Sequence, residues 1–407
     1  MSGPRDPDFD AWVKAARDVS CLAVLDRRGI KLRRAGTEHV GPCPVCGGTD
    51  RFGVHARKDI WICRGSGRGG DAIALVQYLD GADFLGACET LTGRKAPRGE
   101  GTRLSPEELA RRAEERRALE AKREAQAADY RERERRHLFH EQWLKAQPAH
   151  AAPMLAGYFA RRGLALPEPC KALRFLPDAP YFNGEVEDDR ARKVPRLIHR
   201  GPAMLAAITD SEGVFRGLHC TWLDLAQPKG KAVIADPETG ELLPAKKVRG
   251  SMKGGRILLA PAASGMPRRS VAGEGIETVA AARTALLATS GIHADCEFAV
   301  GISLGNLTGK ASETVPHPSL KRTDSLGRAR AQRVPGPQPD MESPAMFVPD
   351  TITHLTLLAD GDSDPFTTRC AMERAQARHA APGRFVTVAW PPEGLDFNDM
   401  LMMEAAE

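Results

Sequence analysis

The stretch that decides the fold is His354-Leu-Thr-Leu-Leu-Ala-Asp-Gly-Asp362. Leu355 to Ala359 is a short apolar run typical of a buried strand, and it ends at Asp360-Gly-Asp362. Open α/β sheets bind ligands at the carboxyl ends of their strands, and two like charges about 4 Å apart repel by about 4 kcal/mol near a protein surface. A carboxylate pair in this place is therefore usually neutralised by a proton or by a hard cation such as Mg²⁺. A simple Asp-Gly turn is the alternative.

Length, composition and cysteine usage set the broad class. The 407 residues predict roughly two to four domains, and a net charge of +5 permits a polyanionic partner without requiring one. No run of about 18 apolar residues occurs, so no membrane partner is expected. The first residues lack a signal-peptide pattern, and the odd number of cysteines favours reduced thiols, so a cytoplasmic location is predicted. No phosphate-loop motif occurs, which argues against an attached ATP-driven motor.

Three cysteines have metal-ligand spacing. Cys43-Pro-Val-Cys46 precedes two strand-like stretches, the second of which ends at Cys63, and this pattern predicts a zinc ribbon. The expected fourth ligand position is taken by Ser66. His55, on the intervening turn, could supply a nitrogen; alternatively the metal keeps a water, or the site is degenerate.

Two groups of residues are candidates for contact with nucleic acid. The run from Lys246 to Gly255 is expected to be a loop in which glycines allow close approach of phosphates and lysines neutralise them. A solvated loop without a ligand is the alternative. In the cysteine region, Arg51, Phe52 and Trp61 offer stacking and cation contacts to single-stranded bases. Phe52 and Trp61 could equally form the core of that small module.

A third acid follows another strand. Gly273-Glu274-Gly275 ends a short strand and precedes a helix of alanines and leucines, and 385–389 is a further β-branched strand. This β-α order predicts a small, mostly parallel sheet, at one edge of which Glu274, Asp360 and Asp362 converge. Residues 308–350, rich in proline, serine and basic residues, are expected to be a disordered or looped insertion.

Together these motifs resemble known families. Glu-Gly after one strand and Asp-x-Asp after a later strand resemble the TOPRIM domain shared by primases, topoisomerases and some nucleases. Cys43-Pro-Val-Cys46, Trp61-Ile-Cys63 and Gly69-Gly-Asp71 resemble the CHC-type zinc module of bacterial DnaG-type primases. The order of the parts resembles primases of phages, plasmids and integrated elements over nearly the whole chain.

The resemblance implies a multi-domain α/β fold with four parts. These are a zinc-ribbon module over 1–96, a charged helical linker over 97–148, a basic mixed α/β lobe over 149–262, and a TOPRIM domain over 263–407 that contains the insertion. The linker prediction also rests on its composition, since arginine and glutamate nearly balance along it.

The resemblance also implies roles for the acids. Glu274 resembles the general base or metal-associated acid of the family, Asp360 and Asp362 resemble its Mg²⁺ (or Mn²⁺) ligands, and Asp396 would assist them. Two positions depart from the family pattern. Asn398 and Thr278 stand where an acid is common, which leaves the number of metals open.

The implied function is a DNA primase that makes short RNA primers on single-stranded DNA from nucleoside triphosphates, with Mg²⁺ and Zn²⁺ as cofactors and a separate replicative helicase as partner. Lys246, Lys247, Arg249 and Lys253 would clamp triphosphate or template, and Arg51 and Trp61 would contact DNA. A metal-dependent nuclease and a non-catalytic single-strand-binding accessory are the alternatives. A topoisomerase is disfavoured because the four tyrosines lie in apparent helices or loops, with no further domain to present a nucleophile.

Overall fold

The computed structural model describes residues 7–97, 106–189, 192–323 and 329–404. They form two units, one of residues 1–123 with 314–334 and one of residues 124–313 with 335–407. Each unit contains helices and sheet, so the prediction of a multi-domain α/β fold is confirmed at this level. Within the described ranges, no helix combines the length and the apolar character needed to cross a bilayer.

The N-terminal region is a five-stranded antiparallel sheet with four short helices. Ser20, Asp71 and Asp83 begin three of these helices by accepting hydrogen bonds from backbone N–H groups of the first turn. The sheet order is β1-β2-β3-β4-β5. The elements are α1 (Pro7–Arg17), α2 (Cys21–Asp26), β1 (Arg33–Ala35), β2 (Glu38–Cys43), β3 (Gly47–His55), β4 (Ile60–Cys63), β5 (Arg68–Gly70), α3 (Ala72–Asp80) and α4 (Phe84–Thr92).

A long charged helix follows, as predicted. Helix α5 spans Pro106–His137 and continues as a π-helical turn over Leu138–Trp143. Near its end Glu132 accepts hydrogen bonds from Arg135 at 2.7 Å and from Arg136 at 2.9 Å. Exposed pairs of this kind stabilise a helix only slightly, so its surface is a solvated one.

The second unit begins with an antiparallel sheet of order β12-β9-β8-β7-β6. The predicted hairpin is present, because β8 pairs with β9 across a turn that contains Gly213 at φ +77°. The first half of the basic run is not a loop, because Lys246–Gly250 pairs with β9 as an edge strand, whereas residues 251–255 form a turn. The elements are β6 (Gln147–Pro148), a 3-10 turn (Ala149–Ala151), α6 (Pro153–Arg161), β7 (Leu173–Glu187), β8 (Lys193–Thr209), β9 (Phe215–Trp222), β10 (Ile234–Ala235), β11 (Leu242–Leu243) and β12 (Lys246–Gly250).

The same unit contains the small, mostly parallel sheet, in the order β13-β15-β14-β18-β19. Only β13 runs antiparallel to its neighbour in this sheet. The elements are β13 (Ile257–Ala260), β14 (Arg269–Gly273), α7 (Ile276–Thr289), β15 (Cys296–Val300), α8 (Leu304–Thr308), β16 (Thr314–Thr323), β17 (Ala329–Pro335), β18 (His354–Leu358), α9 (Pro365–His379), β19 (Phe385–Ala389) and α10 (Phe397–Glu404).

The expectation that residues 308–350 are irregular is wrong for much of that segment. Strands β16 and β17 pair into a two-stranded sheet that belongs to the first unit. Arg322 on β16 donates a hydrogen bond to the carbonyl of Pro44 at 3.1 Å. Polar and basic composition suggested a loop, but alternate residues of a solvated two-stranded sheet need not be apolar.

Leu357 provides a test of the parallel sheet. It is fully buried in the central strand β18, whereas Phe385 on the edge strand β19 is 68% exposed. We expect Leu357→Ala to lower the free energy of unfolding of this unit by about 2–5 kcal/mol because it leaves a cavity. The control Phe385→Ala is expected to cost less than about 1 kcal/mol. Urea titrations of both variants measure the difference, and equal losses would contradict the strand assignment.

Candidate functional site

Two strand ends carry the candidate acids to one edge of the parallel sheet. Strand β14 pairs in parallel with β18, with Ala272 opposite Leu357. Glu274 follows directly after β14, and Asp360 lies two residues after the end of β18. Because parallel strands end at the same edge, the pairing brings Glu274 and Asp360 together, as the sequence predicted.

The pKa of Asp360 reflects the other carboxylates around it. Burial, followed by the negative charges of Asp362, Glu274 and Asp396, raises the pKa of the half-buried Asp360 to about 6. Carboxylate oxygens are the ligands that hard cations prefer, so these residues fit a magnesium or manganese ion. Among the described residues, only three cysteines have donor atoms that all lie within 4.8 Å of one another.

Gly361 explains how Asp396 reaches this group. A Cβ atom at Gly361 would lie 2.3 Å from the carbonyl oxygen of Leu395 and 2.9 Å from that of Pro392. The N–H of Gly394 donates to the carbonyl of Gly361 at 2.9 Å. Only glycine permits this approach of the loop, so the glycine between the two aspartates serves backbone packing beside them.

A cavity opens beside Asp360. Its volume is about 580 Å³, within the range of small-molecule sites. The side chain of Trp390 is half exposed at this cavity. The polar and aromatic residues that line the cavity include Asp360, Ser363, Arg369, Glu373, Trp390 and Glu393.

A buried ionic network lies in the first turn of α7, and sequence reasoning missed it. Glu277 is 6% exposed and accepts hydrogen bonds from Tyr158 at 2.6 Å, from Lys231 at 2.9 Å and from Lys246 at 3.3 Å. Although burial opposes ionisation, the two ammonium groups hold the pKa of Glu277 well below its usual range. The signal in the sequence that could have revealed this network is Glu277 itself, a carboxylate among the apolar residues that begin α7.

The predicted basic clamp is largely engaged within the protein. Lys246 pairs with Glu277, and Lys247 donates to the carbonyl of Phe182 at 2.5 Å and lies 4.3 Å from the ring centroid of Tyr181. Arg249 donates to Glu134 at 3.1 Å. Lys253, in the turn after β12, is exposed. The structure thus places one of the four predicted cations openly in solvent.

Asn398 and Thr278 also have defined places. Asn398 is buried, accepts a hydrogen bond from the guanidinium of Arg162 at 2.6 Å and donates to the carbonyl of Arg162 at 2.7 Å. Its amide therefore joins α10 to the end of α6. Thr278 is half-buried in the first turn of α7.

The second candidate site is the cysteine cluster of the first unit. The sulfur atoms of Cys43, Cys46 and Cys63 lie within 4.8 Å of one another, and those of Cys46 and Cys63 are 3.4 Å apart. Three convergent thiols fit a zinc ion, whose thiolate bonds are about 2.3 Å long. His55 lies outside this group and its Nδ1 accepts from the backbone N–H of Lys58 at 3.3 Å.

The aromatic residues of this unit form its core, which is the second of the two roles that the sequence allowed. Phe52 and Trp61 are buried and stack with ring centroids 5.4 Å apart. Trp61 also donates its indole N–H to the carbonyl of Asp71 at 3.1 Å. Since Trp61 is 3% exposed, no base can stack on it in this conformation. Arg51 is half-buried.

Comparison with known families supports the zinc module. Residues 11–98 match the model of the CHC2 zinc finger. Residues 133–259 match a family described as a domain of unknown function. Residues 11–98 include the three cysteines, so zinc is the metal that both the family and the donor atoms support.

Individual relatives are distant. The DNA primase of Halalkalibacterium halodurans is 34% identical over 79 residues, which is 19% of this chain and 13% of that protein. The Aquifex aeolicus primase structure, with zinc-binding and RNA polymerase domains, is 14% identical; the match covers 98% of this chain and 83% of that chain, with a TM-score of 0.34. A DNA primase domain from Pseudomonas aeruginosa is 18% identical over 68% of this chain and 73% of that chain, with a TM-score of 0.34. At TM-scores this low, the matched structures do not establish a shared fold with this chain.

Gly361→Ala tests whether the loop before Asp396 depends on the glycine. We expect the variant to lose about 1–3 kcal/mol of stability, because the added methyl group collides with backbone. Gly305→Ala is the matched control, since a Cβ atom there meets nothing within 4 Å. Thermal unfolding of the two variants provides the measurement. A Gly361→Ala protein as stable as the control would show that the loop packs elsewhere.

His219 on β9 should make stability depend on pH. Burial first, and then the positive charges of Lys246 and Lys231, lower its pKa to about 4, although the negative charge of Glu277 opposes them. The unfolded chain therefore binds a proton that the folded chain refuses between about pH 6.5 and pH 4. Stability is expected to fall as the pH drops through this window, by on the order of 3 kcal/mol.

Denaturation at pH 7 and pH 4.5 checks this expectation. His219→Phe should lose less stability than the wild type over that interval, whereas His354→Phe, at an exposed position, should behave as the wild type does. The same pH loss in His219→Phe as in the wild type would rule out His219 as its source.

Proposed function

We propose that this chain, whose N-terminal region matches the CHC2 zinc finger, is a DNA primase that makes short RNA primers on single-stranded DNA. The observation that carries the proposal is the gathering of Glu274, Asp360, Asp362 and Asp396 at one sheet edge. Similarity to a DNA primase over 79 residues supports it. A TOPRIM-type catalytic domain over 263–407, in a primase of a phage, plasmid or integrated element, is part of the same proposal.

The reaction joins a 3′-hydroxyl to the α-phosphate of an incoming nucleoside triphosphate and releases pyrophosphate. Bound Mg²⁺ or Mn²⁺ supplies the charge that lowers the pKa of the hydroxyl and offsets charge on the phosphate. We assign Asp360 and Asp362 to hold the cation, with help from Asp396. Glu274, at the end of the neighbouring strand, is assigned to accept the proton from the attacking hydroxyl.

The cavity beside Asp360 is suited to a nucleotide. Trp390 offers an aromatic face on which a base can stack, and Arg369 offers a guanidinium to phosphate. Lys253 is available for the template backbone. Lys246 can reach phosphate if it leaves Glu277, while Lys247 and Arg249 contribute by holding strand β12 in place. A separate helicase would deliver the single strand.

Asp360→Asn is the direct test. The purified chain is incubated with single-stranded DNA, labelled ribonucleotides and Mg²⁺, and short labelled oligomers are resolved by gel. We expect at least a 100-fold loss of oligomers, because the charge that holds the cation is removed. Asp350→Asn is the control, since Asp350 is an exposed acid that precedes the same strand at its other end, and it should retain activity.

The same assay separates the alternatives. Fragmented DNA without oligomers, lost in Asp360→Asn, would overturn the primase in favour of a metal-dependent nuclease, which the same four acids could serve. Neither product, with binding of single-stranded DNA intact, would identify a non-catalytic accessory. Equal activity of Asp360→Asn and Asp350→Asn would refute the assignment of this cluster.

A further inference from the structure

The cysteine cluster supplies three donors, but structural zinc sites are almost always four-coordinate. The position where the ribbon pattern expects a fourth thiol carries Ser66, and His55 lies outside the cluster. A fourth donor must therefore come from another residue near the three sulfur atoms, or from water.

Tyr78 lies against the cluster at Cys43. Its hydroxyl oxygen is 3.1 Å from the sulfur of Cys43 and 3.2 Å from the hydroxyl of Ser66. Tyr78 is only 6% exposed, so its hydroxyl faces the cluster and not bulk water. The residue extends from helix α3, which Asp71 begins by accepting from the N–H of Ala74 at 3.0 Å.

The ring of Tyr78 is held from two sides. It stacks on Trp61 with ring centroids 4.6 Å apart, and the guanidinium of Arg68 lies 5.2 Å from its centroid. A donor that is positioned before metal binding loses little conformational entropy when the metal arrives. The stack of Phe52, Trp61 and Tyr78 thus fixes the position of the Tyr78 hydroxyl beside Cys43.

Ser66 is the rival donor, and the geometry favours Tyr78. The hydroxyl of Tyr78 lies 3.1 Å from the sulfur of Cys43, and its ring is held in place by stacking on Trp61. Ser66 also accepts from the N–H of Arg68 at 3.4 Å, and its own N–H donates to Cys63 at 3.4 Å. These contacts place Ser66 as a hydrogen-bonding neighbour of the ligands.

We propose that Tyr78 is the fourth zinc ligand, bound through its phenolate oxygen, and that Ser66 donates a hydrogen bond to that oxygen. On binding, the phenolic proton and the thiol protons pass to solvent. A Cys₃Tyr site would replace the fourth thiolate that Ser66 does not supply. The proposal concerns zinc binding alone and does not depend on primer synthesis.

The test uses the full chain, zinc and a competing chromophoric chelator. We expect Tyr78→Phe to bind zinc at least about tenfold more weakly, while the phenyl ring keeps its stacking on Trp61. Zinc added to the metal-free wild type should produce the ultraviolet difference spectrum of tyrosinate, which Tyr78→Phe should lack. Ser66→Ala should retain that spectrum, and His55→Ala should match the wild type in affinity and spectrum.

Three results would overturn the proposal: wild-type zinc affinity in Tyr78→Phe, zinc bound to the wild type without a tyrosinate signal, or a tyrosinate signal that persists in Tyr78→Phe. Ser66→Cys in the Tyr78→Phe background guards against a folding artefact, because a thiol at the position where the ribbon pattern expects one should restore tight zinc binding. If Tyr78→Phe weakens binding and the added Ser66→Cys does not restore it, Tyr78 acts only through packing and the proposal also fails.

Discussion

The parallel pairing of β14 with β18 is the constraint on which the catalytic candidate depends. Its register sets Ala272 opposite Leu357, so the residues that follow the two strands emerge side by side. The pairing is held by buried apolar side chains such as Leu355 and Leu357, and a shift of one residue would reverse their faces. Burial of these apolar side chains thus supplies the free energy that holds the mutually repelling Glu274 and Asp360 side by side.

The charges around Asp360 differ in sign from those around Glu277, a buried acid of the same unit. Glu277 has Lys231 and Lys246 as partners and stays ionised, with its pKa well below the usual range. Asp360 is surrounded by further acids, and its pKa rises. A buried ion pair with both partners in place keeps its groups charged, whereas a carboxylate that lies among other carboxylates is a candidate ligand for a hard cation. The contrast marks one set as structural and the other as a candidate for metal.

In the zinc module, the aromatic core and the candidate zinc ligands are in contact. Its sheet is small, and the stack of Phe52, Trp61 and Tyr78 supplies much of its buried aromatic surface. The hydroxyl of Tyr78, a member of the stack, contacts the thiol of Cys43 at 3.1 Å. Core packing and the candidate zinc ligands therefore meet at Tyr78, so zinc binding is expected to couple to folding of this unit.

The sequence by itself determined the features that depend on local patterns: the Cys43, Cys46 and Cys63 spacing, the charged helix, and the strand-end positions of Glu274 and Asp360. Apolar runs, spacing and β-α alternation carry that information. These patterns predict a mostly parallel sheet, but they do not predict the register in which its strands pair, because the paired residues are distant in the chain.

Only the tertiary structure decided the rest. Lys246 was expected in a phosphate-binding loop, but it lies on a strand and pairs with Glu277, and Trp61 is buried in a core. Residues Gly361 and Tyr78 acquired their meaning from neighbours 34 and 35 positions away, the carbonyl of Leu395 and the thiol of Cys43. Local composition cannot specify such contacts, because whether a charge is solvated or a hydroxyl faces a metal site depends on what the folded chain places beside it.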